Sequence, residues 1–311
     1  NKLDGSSDNF KIHSDYGDVS GSSTIEFYVD GAEKAVINSS GNIAATSYNG
    51  IPFYSDVANN SMYTHDVSGT DSTAQGNTAY GFGALDAVTG GDLNTVVGYL
   101  AGSAINSGSN NVLMGYATGD ALTTGGDNVA IGYAALSVED TTGKATAIGY
   151  KALNAQNAAG DSYNVAVGYE AGASITTGDL NTLVGGDAGD ALTEGNRNVA
   201  VGYNALTAET LGDRNVAIGF SALETQNNTS DLDAYNVAMG YEAGKSVTTG
   251  VKNTLIGGLA GDALTTGQQN VALGYNALSS EDLGSRSTAL GYNTLGAQNV
   301  DGNIYNVAVG Y

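Results

Sequence analysis

Histidine and cysteine, which supply most protein metal ligands and activated nucleophiles, are nearly absent from this sequence. His13 and His65 are the only histidines, and there is no cysteine. A zinc site needs three or four such ligands, and an activated nucleophile needs an adjacent base. The sequence also contains neither a Gly-x-Ser-x-Gly elbow nor a phosphate-binding Walker loop. We therefore predict no metal, no cofactor and no catalytic residue.

Aspartate recurs, and many copies directly follow glycine, as at 178–179, 189–190, 212–213 and 261–262. These pairs lack the Gly-Gly-x-Gly-x-Asp register of calcium-loading β-rolls. We interpret them as solvated turn residues, with weak calcium binding as the alternative. Paired carboxylates could also hydrolyse glycosidic bonds, but the Asp and Glu positions mostly repeat as turns. We therefore expect that the protein is not an enzyme.

The composition narrows the choice of partners. The chain has 311 residues, 46 of them glycine and one proline, and its formal net charge is −22. Because only 10 residues are Lys or Arg, no basic surface is available for nucleic acid or for an anionic membrane. No apolar run approaches the roughly 20 residues of a membrane span. We predict no nucleic-acid partner and no membrane insertion.

A short motif, Asn-x-Ala-apolar-Gly-aromatic, repeats along most of the chain. Its glycines are usually 17 residues apart, with steps of 19, 21 and 19 residues before Gly168, Gly240 and Gly310. These longer steps divide the coils into groups of four, and the last coil of each group contains Gln-Asn. Repetition at a fixed short period predicts a β-solenoid in which each repeat is one coil. The motif glycines are residues 81, 98, 115, 132, 149, 168, 185, 202, 219, 240, 257, 274, 291 and 310.

Each motif is predicted to be a short strand, because 17 residues are too few for two helices and no helical period is sustained. Side chains alternate along a strand, so the first and third apolar residues share one face. We assign that face to the solenoid core: Val129, Ile131, Val199, Val201, Val216, Ile218, Val271 and Leu273.

The middle residue of each strand then points the other way. It is never polar, unlike the water-facing residues of a surface sheet, and leucine returns there in register at 113, 183 and 255. We therefore predict that the middle residues contact another subunit: Ala130, Ala147, Ala166, Leu183, Ala200, Ala217, Ala238, Leu255, Ala272 and Ala289.

The remaining motif residues are predicted to form ladders along the solenoid axis. Glycine would turn the chain at a corner, and the aromatic residue after it would stack on its neighbours. The preceding asparagine would hydrogen-bond to the next coil. Representative members are Asn128, Asn198, Asn215 and Asn270 for the polar ladder, and Tyr133, Tyr203 and Tyr275 for the aromatic one; Gly186 and Gly258 interrupt the latter.

Three segments follow from this periodicity. Residues 1–50 are predicted to form a small β module with an Asp-Gly hairpin turn at 30–31, residues 51–76 a connector, and residues 77–311 the solenoid. The sequence stops inside a motif, so we expect the solenoid to continue beyond residue 311, with any receptor-binding tip there.

Two resemblances cover nearly the whole chain. The N-terminal segment resembles a module common in bacteriophage tail-fibre proteins, and the coils are similar to repeats of marine, cyanophage-like fibres. The coils also resemble, more distantly, the heads of trimeric autotransporter adhesins, although those use shorter repeats and continue into a neck. The residues carrying the first resemblance are Ile25, Phe27, Asp30, Gly31, Glu33, Ile37, Ser39, Ser40, Gly41 and Asn42.

These resemblances imply an all-β, parallel homotrimeric β-roll. The implied protein is a virion fibre, extracellular, that projects host-recognition elements and mediates adsorption to the bacterial surface. Its partners would be copies of itself, other tail or baseplate proteins, and a host glycan or protein receptor. Two alternatives are a bacterial trimeric autotransporter-type adhesin head and a polysaccharide-degrading spike.

Overall fold

One three-residue strand forms in each repeat, and fourteen such strands pair in parallel and in register, from residues 78–80 to residues 307–309. The computed structural model describes residues 73–141 and 143–311, and before them only the strands listed below. The turn predicted at 30–31, His65 and most of the predicted connector lie outside the described residues. The described repeats therefore form a parallel β-solenoid with no helix.

The strands before the repeats include a four-stranded antiparallel sheet in the order β1-β2-β3-β4. Strand β7 pairs antiparallel with β8, and β8 pairs in parallel with the first repeat strand. These strands are β1 (Lys11–Ser14), β2 (Ile25–Val29), β3 (Ala32–Ile37), β4 (Ile43–Ala45), β5 (Ser47–Tyr48), β6 (Ile51–Pro52), β7 (Tyr54–Asp56) and β8 (Ser61–Tyr63).

The solenoid sheet is built from strands that are neighbours in the repeat order. Two further short parallel pairs, β17 with β19 and β23 with β25, form outside it. The strands are β9 (Thr78–Tyr80), β10 (Thr95–Val97), β11 (Val112–Met114), β12 (Val129–Ile131), β13 (Thr146–Ile148), β14 (Val165–Val167), β15 (Thr182–Val184), β16 (Val199–Val201), β17 (Gly212–Asp213), β18 (Val216–Ile218), β19 (Leu232–Asp233), β20 (Val237–Met239), β21 (Thr254–Ile256), β22 (Val271–Leu273), β23 (Gly284–Ser285), β24 (Thr288–Leu290), β25 (Gly302–Asn303) and β26 (Val307–Val309).

The strand faces are the reverse of those predicted. In the repeat strands from 78–80 to 288–290, the middle residue is buried within the solenoid, so it cannot contact another subunit. All ten residues predicted at the interface are 0% exposed within the single chain: Ala130, Ala147, Ala166, Leu183, Ala200, Ala217, Ala238, Leu255, Ala272 and Ala289.

The residues predicted to fill the core instead point outward. Alternation along a strand shows which residues share a face, but it does not show which face is inside, and bulk is a misleading guide in a coil this narrow. The core assignment was therefore wrong for Val129, Ile131, Val199, Val201, Val216, Ile218, Val271 and Leu273, all of which are partly or largely exposed.

The narrow core explains the leucine in every fourth strand. A Cβ added to Gly189 would lie 2.9 Å from Leu183 Cδ2, and one added to Gly172 would lie 2.7 Å from Leu183 Cδ1. The next coil has Ala200 in its strand and Leu206, in place of glycine, four residues after the corner. Leu206 and Gly189 have the same φ, +56°, so the backbone has the same conformation in both coils. The leucine side chain comes from the strand in one coil and from the opposite wall in the next.

The corner glycines are required by close approach between coils. Gly202 has a φ of +137°, and a Cβ there would lie 2.6 Å from the carbonyl carbon of Gly219 and closer still to its oxygen. The same contact recurs at successive motif glycines. Because the obstacle is backbone of the next coil, it cannot move without separating the two strands.

We expect Gly202→Ala to lower the free energy of unfolding by more than about 3 kcal/mol, since it combines a disfavoured φ with a backbone clash. Gly186 provides the matched control: its φ is not positive, and an added Cβ would meet only the Tyr203 ring, at 3.3 Å. Gly186→Ala should change stability by less than about 1 kcal/mol. Chemical denaturation followed by circular dichroism measures both, and equal losses would contradict this account of the corner.

Candidate functional surfaces

The asparagine ladder lies inside the solenoid. Asn198 Nδ2 donates to the carbonyl oxygen of Gly212 at 2.9 Å, and Asn198 Oδ1 accepts from the backbone N–H of Asn215, also at 2.9 Å. Each amide thus pairs backbone groups that the turns would leave unsatisfied. The predicted members are all 0% exposed, which makes them unavailable to a ligand: Asn128, Asn198, Asn215 and Asn270.

A fully buried glutamate accompanies this ladder once in each four-coil group. Glu209 Oε2 accepts from Gln226 Nε2 at 2.7 Å and from Asn228 Nδ2 at 2.8 Å, and Oε1 accepts from the N–H of Gly212 at 2.8 Å. Gln226 Oε1 in turn accepts from Asn236 Nδ2 at 2.8 Å. Because donors of the chain surround the carboxylate, it closes the longer loop rather than meeting a substrate. Glu139 and Glu281 hold the corresponding positions.

The sequence analysis identifies the Gln-Asn pair of each fourth coil but does not predict the buried glutamate. The signal was present, because a glutamate stands 17 residues before the glutamine in every group. That separation is one coil, which places the two side chains on adjacent rungs.

The aromatic ladder lies on the outside of the solenoid. Six rings, from Phe82 to Tyr169, stack with centroids 5.1–5.9 Å apart. The predicted members take part: Tyr133 stacks on both neighbours, Tyr203 on Phe220 and Tyr275 on Tyr292. The rings are accessible, since Tyr133 is 48% exposed. This ladder can therefore contact a partner or a ligand.

The outward side of the strands forms a second accessible surface, which we call the sheet face. It consists of the first and third residues of β9 to β26, omitting the short strands β17, β19, β23 and β25. Apart from Tyr80, these residues are Thr, Val, Ile, Leu or Met, and none is charged. Met114 is 46% exposed and Leu273 41%. The sheet face is thus an uncharged and mostly apolar strip along the solenoid, with threonine at the first position of six strands.

An aspartate recurs in the second coil of each four-coil group. Asp120, Asp190 and Asp262 occupy the same position in successive groups, and burial raises the pKa of each carboxyl. Thr207 donates a hydrogen bond to Asp190, whereas Oδ1 of Asp120 and of Asp262 has no hydrogen-bond partner. Among the described residues, no group of three His, Cys, Asp or Glu side chains is placed to hold a metal ion.

In the part of the chain that the structure describes, no helix is long and apolar enough to cross a membrane. Comparison with models of protein families, with curated proteins and with solved structures found no match. Proposals about function therefore depend on the chain's own surfaces and on the resemblances of its motifs.

We expect Asn198→Ala to destabilise the solenoid by about 2 kcal/mol, because the buried carbonyl of Gly212 and N–H of Asn215 both lose their partner. Asn215→Ala is the control, since it reproduces Ala145 of the preceding group. Asn215 Nδ2 donates only to Asn198 Oδ1, at 3.1 Å, and Asn215 Oδ1 accepts from the N–H of Asn236 at the longer distance of 3.3 Å. A smaller loss is expected there. Denaturant titration of both variants measures the difference, and a larger loss for Asn215→Ala would contradict this account of the ladder.

Asp120→Asn should increase stability at pH 7. Burial raises the pKa of the Asp120 carboxyl above its ordinary value of 3.8, so the folded state disfavours the charged form. This cost is fully present above the folded-state pKa and disappears as the pH falls below 3.8. The stability gained by the variant should shrink over the same range, as measured by thermal unfolding.

Proposed function

We propose that this chain is the shaft of a homotrimeric fibre of a phage virion, which projects host-recognition elements and mediates adsorption to the bacterial surface. The observation that carries the proposal is the sheet face, which is uncharged and mostly apolar over fourteen successive strands. At about 4.8 Å per strand, this strip is roughly 65 Å long. Monomeric soluble proteins rarely leave so large an apolar surface in water.

A second copy of the chain is the occupant that matches the sheet face along its whole length. Its strands repeat at the same spacing, so contacts made at one coil recur at every other coil in a parallel assembly. The sheet face carries no charge, so its close contact with a second copy places no like charges directly against each other. The trimeric state itself is supported by the resemblance to phage fibres and autotransporter heads.

A shaft function is supported by how the coil is built. Each coil packs against and hydrogen-bonds to its two neighbours, so the length of the solenoid can change by addition of repeats that keep the same contacts. A long spacer that presents several copies of a weak binding element gains avidity. The assignment to a phage is supported by the resemblance of the N-terminal segment to tail-fibre modules.

The full chain should scatter light as a trimer, three times its mass of 31.2 kDa. Val199→Asp combined with Val201→Asp adds charge to the sheet face and should give a folded monomer, because both side chains point outward. Val138→Asp is the control: Val138 is 46% exposed but is not on the sheet face, so the trimer should persist. A monomeric unmodified chain would overturn the proposed assembly.

Antibodies raised against the full chain test the location. Labelling of a fibre on virions, together with reduced adsorption to host cells, is expected. Labelling of the bacterial envelope instead would favour the adhesin.

A further inference from the structure

The aromatic ladder lacks one ring at each of two places. In another group of coils, the same position has a tyrosine. Gly186 and Gly258 follow the corner glycine in the second coil of their groups, where the first group has Tyr116. The Tyr116 ring stacks at 5.4 Å on Tyr99 and at 5.2 Å on Tyr133. Each gap is therefore the size of a ring that the fold accommodates elsewhere.

The gap at Gly186 is a notch between Tyr169 and Tyr203. Two strand spacings of about 4.8 Å separate the two ring positions, which leaves roughly 10 Å between them. The backbone continues across the gap, since the N–H of Asn204 donates to the carbonyl oxygen of Gly186 at 3.1 Å. Tyr169 stacks on Tyr150 and Tyr203 stacks on Phe220, and among the described residues no ring contact joins Tyr169 to Tyr203. One face of each tyrosine is thus not covered by another ring.

Two carboxylates lie near this notch, and Lys151 holds the position of Glu170 in the preceding coil, with its Nζ 5.4 Å from the Tyr150 ring centroid. The Glu170 carboxylate raises the pKa of the Tyr169 hydroxyl by its charge, burial adds to the shift, and a hydrogen bond to Glu170 and the charge of Asp187 make smaller contributions. Within the described residues, no lysine or arginine forms an ion pair with Glu170 or Asp187. The notch therefore combines the electron-rich faces of two rings with carboxylates that are not neutralised.

We propose that the notch between Tyr169 and Tyr203 binds an organic cation of the quaternary ammonium type. A cation midway between the rings would lie about 5 Å from each centroid, inside the ~6 Å range of cation–π attraction. Its methyl groups would contact the ring faces, while Glu170 and Asp187 supply the opposite charge. A neutral group of the same shape would gain only the contact with the rings.

The second gap of the ladder, at Gly258, provides an internal control for this site. The second gap, at Gly258, has a lysine near its carboxylate, since Lys245 Nζ lies 2.9 Å from Glu242 Oε1. Leu259 occupies the position that corresponds to Asp187. Cation binding at the second gap should therefore be weaker.

Choline and its neutral isostere 3,3-dimethylbutan-1-ol are the probes, added separately to the full chain at low salt. Saturation-transfer NMR should show transfer to the choline N-methyl protons, with the isostere binding at least about fivefold more weakly. Glu170→Gln should weaken choline binding at least about threefold. Equal binding of the two probes, or unchanged binding by Glu170→Gln, would overturn the proposal.

Gly186→Tyr should abolish most of the choline signal, because the new ring fills the notch as Tyr116 fills its counterpart. Gly258→Tyr is the matched control and should retain the signal. Tyr203→Ala removes one wall without adding bulk and should also lose the signal, which covers the case in which Gly186→Tyr fails to fold. Retention of the signal by folded Gly186→Tyr or by Tyr203→Ala would overturn the assignment.

Discussion

The width of a single coil is the constraint on which the rest of the structure depends. Strand and opposite wall lie so close together that a leucine at the middle of the strand faces a glycine on the wall, and an alanine there faces a leucine, as Leu183 with Gly189 and Ala200 with Leu206 show. The first and third residues of each strand face outward. This constraint completes the core within one chain and simultaneously produces the apolar sheet face.

The periodic features of the fold could be predicted from the sequence because each depends on residue type at a fixed spacing. The 17-residue period, the strand in each motif, the corner glycine and both ladders all follow from such spacing. A corner glycine such as Gly202 could be recognised without coordinates, because no other residue recurs at that place. The stacking of Tyr133 on both of its neighbours follows from the same repeat.

The direction of each strand face could not be obtained from alternation alone. Assigning the larger residues Val199 and Val201 to the core follows a rule for wide interiors, and this interior is narrow. One sequence signal for the inward face is an exchange of volume between neighbouring coils: Leu183 stands in the strand where the wall has Gly189, and Ala200 where the wall has Leu206. This exchange indicates that the two positions share one interior, although the first coil of the group, with Ala166 and Gly172, has small residues at both.

The asparagine ladder stabilises the interior of the solenoid, whereas the aromatic ladder lies on its surface. The asparagine amides and the glutamate networks satisfy buried polar groups, which leaves them no freedom to act on another molecule. The tyrosines make no such buried network, so a gap at Gly186 can be accommodated without disturbing the hydrogen bonds between coils. Both interruptions of the ring ladder, at Gly186 and Gly258, accordingly lie at the aromatic corner.

The anchoring of the longer loops by a buried carboxylate has a consequence for how such a chain can diverge. Glu209 and Gln226 hold the loop where it leaves the coil, and Asn236 holds it where it returns. Between these fixed points the number of residues does not affect the register of the next strand, which explains why steps of both 19 and 21 residues are compatible with one sheet. The solenoid thus offers insertion points about 19 Å apart. Peptide can be added to the loops at these points while the spacing between strands stays the same.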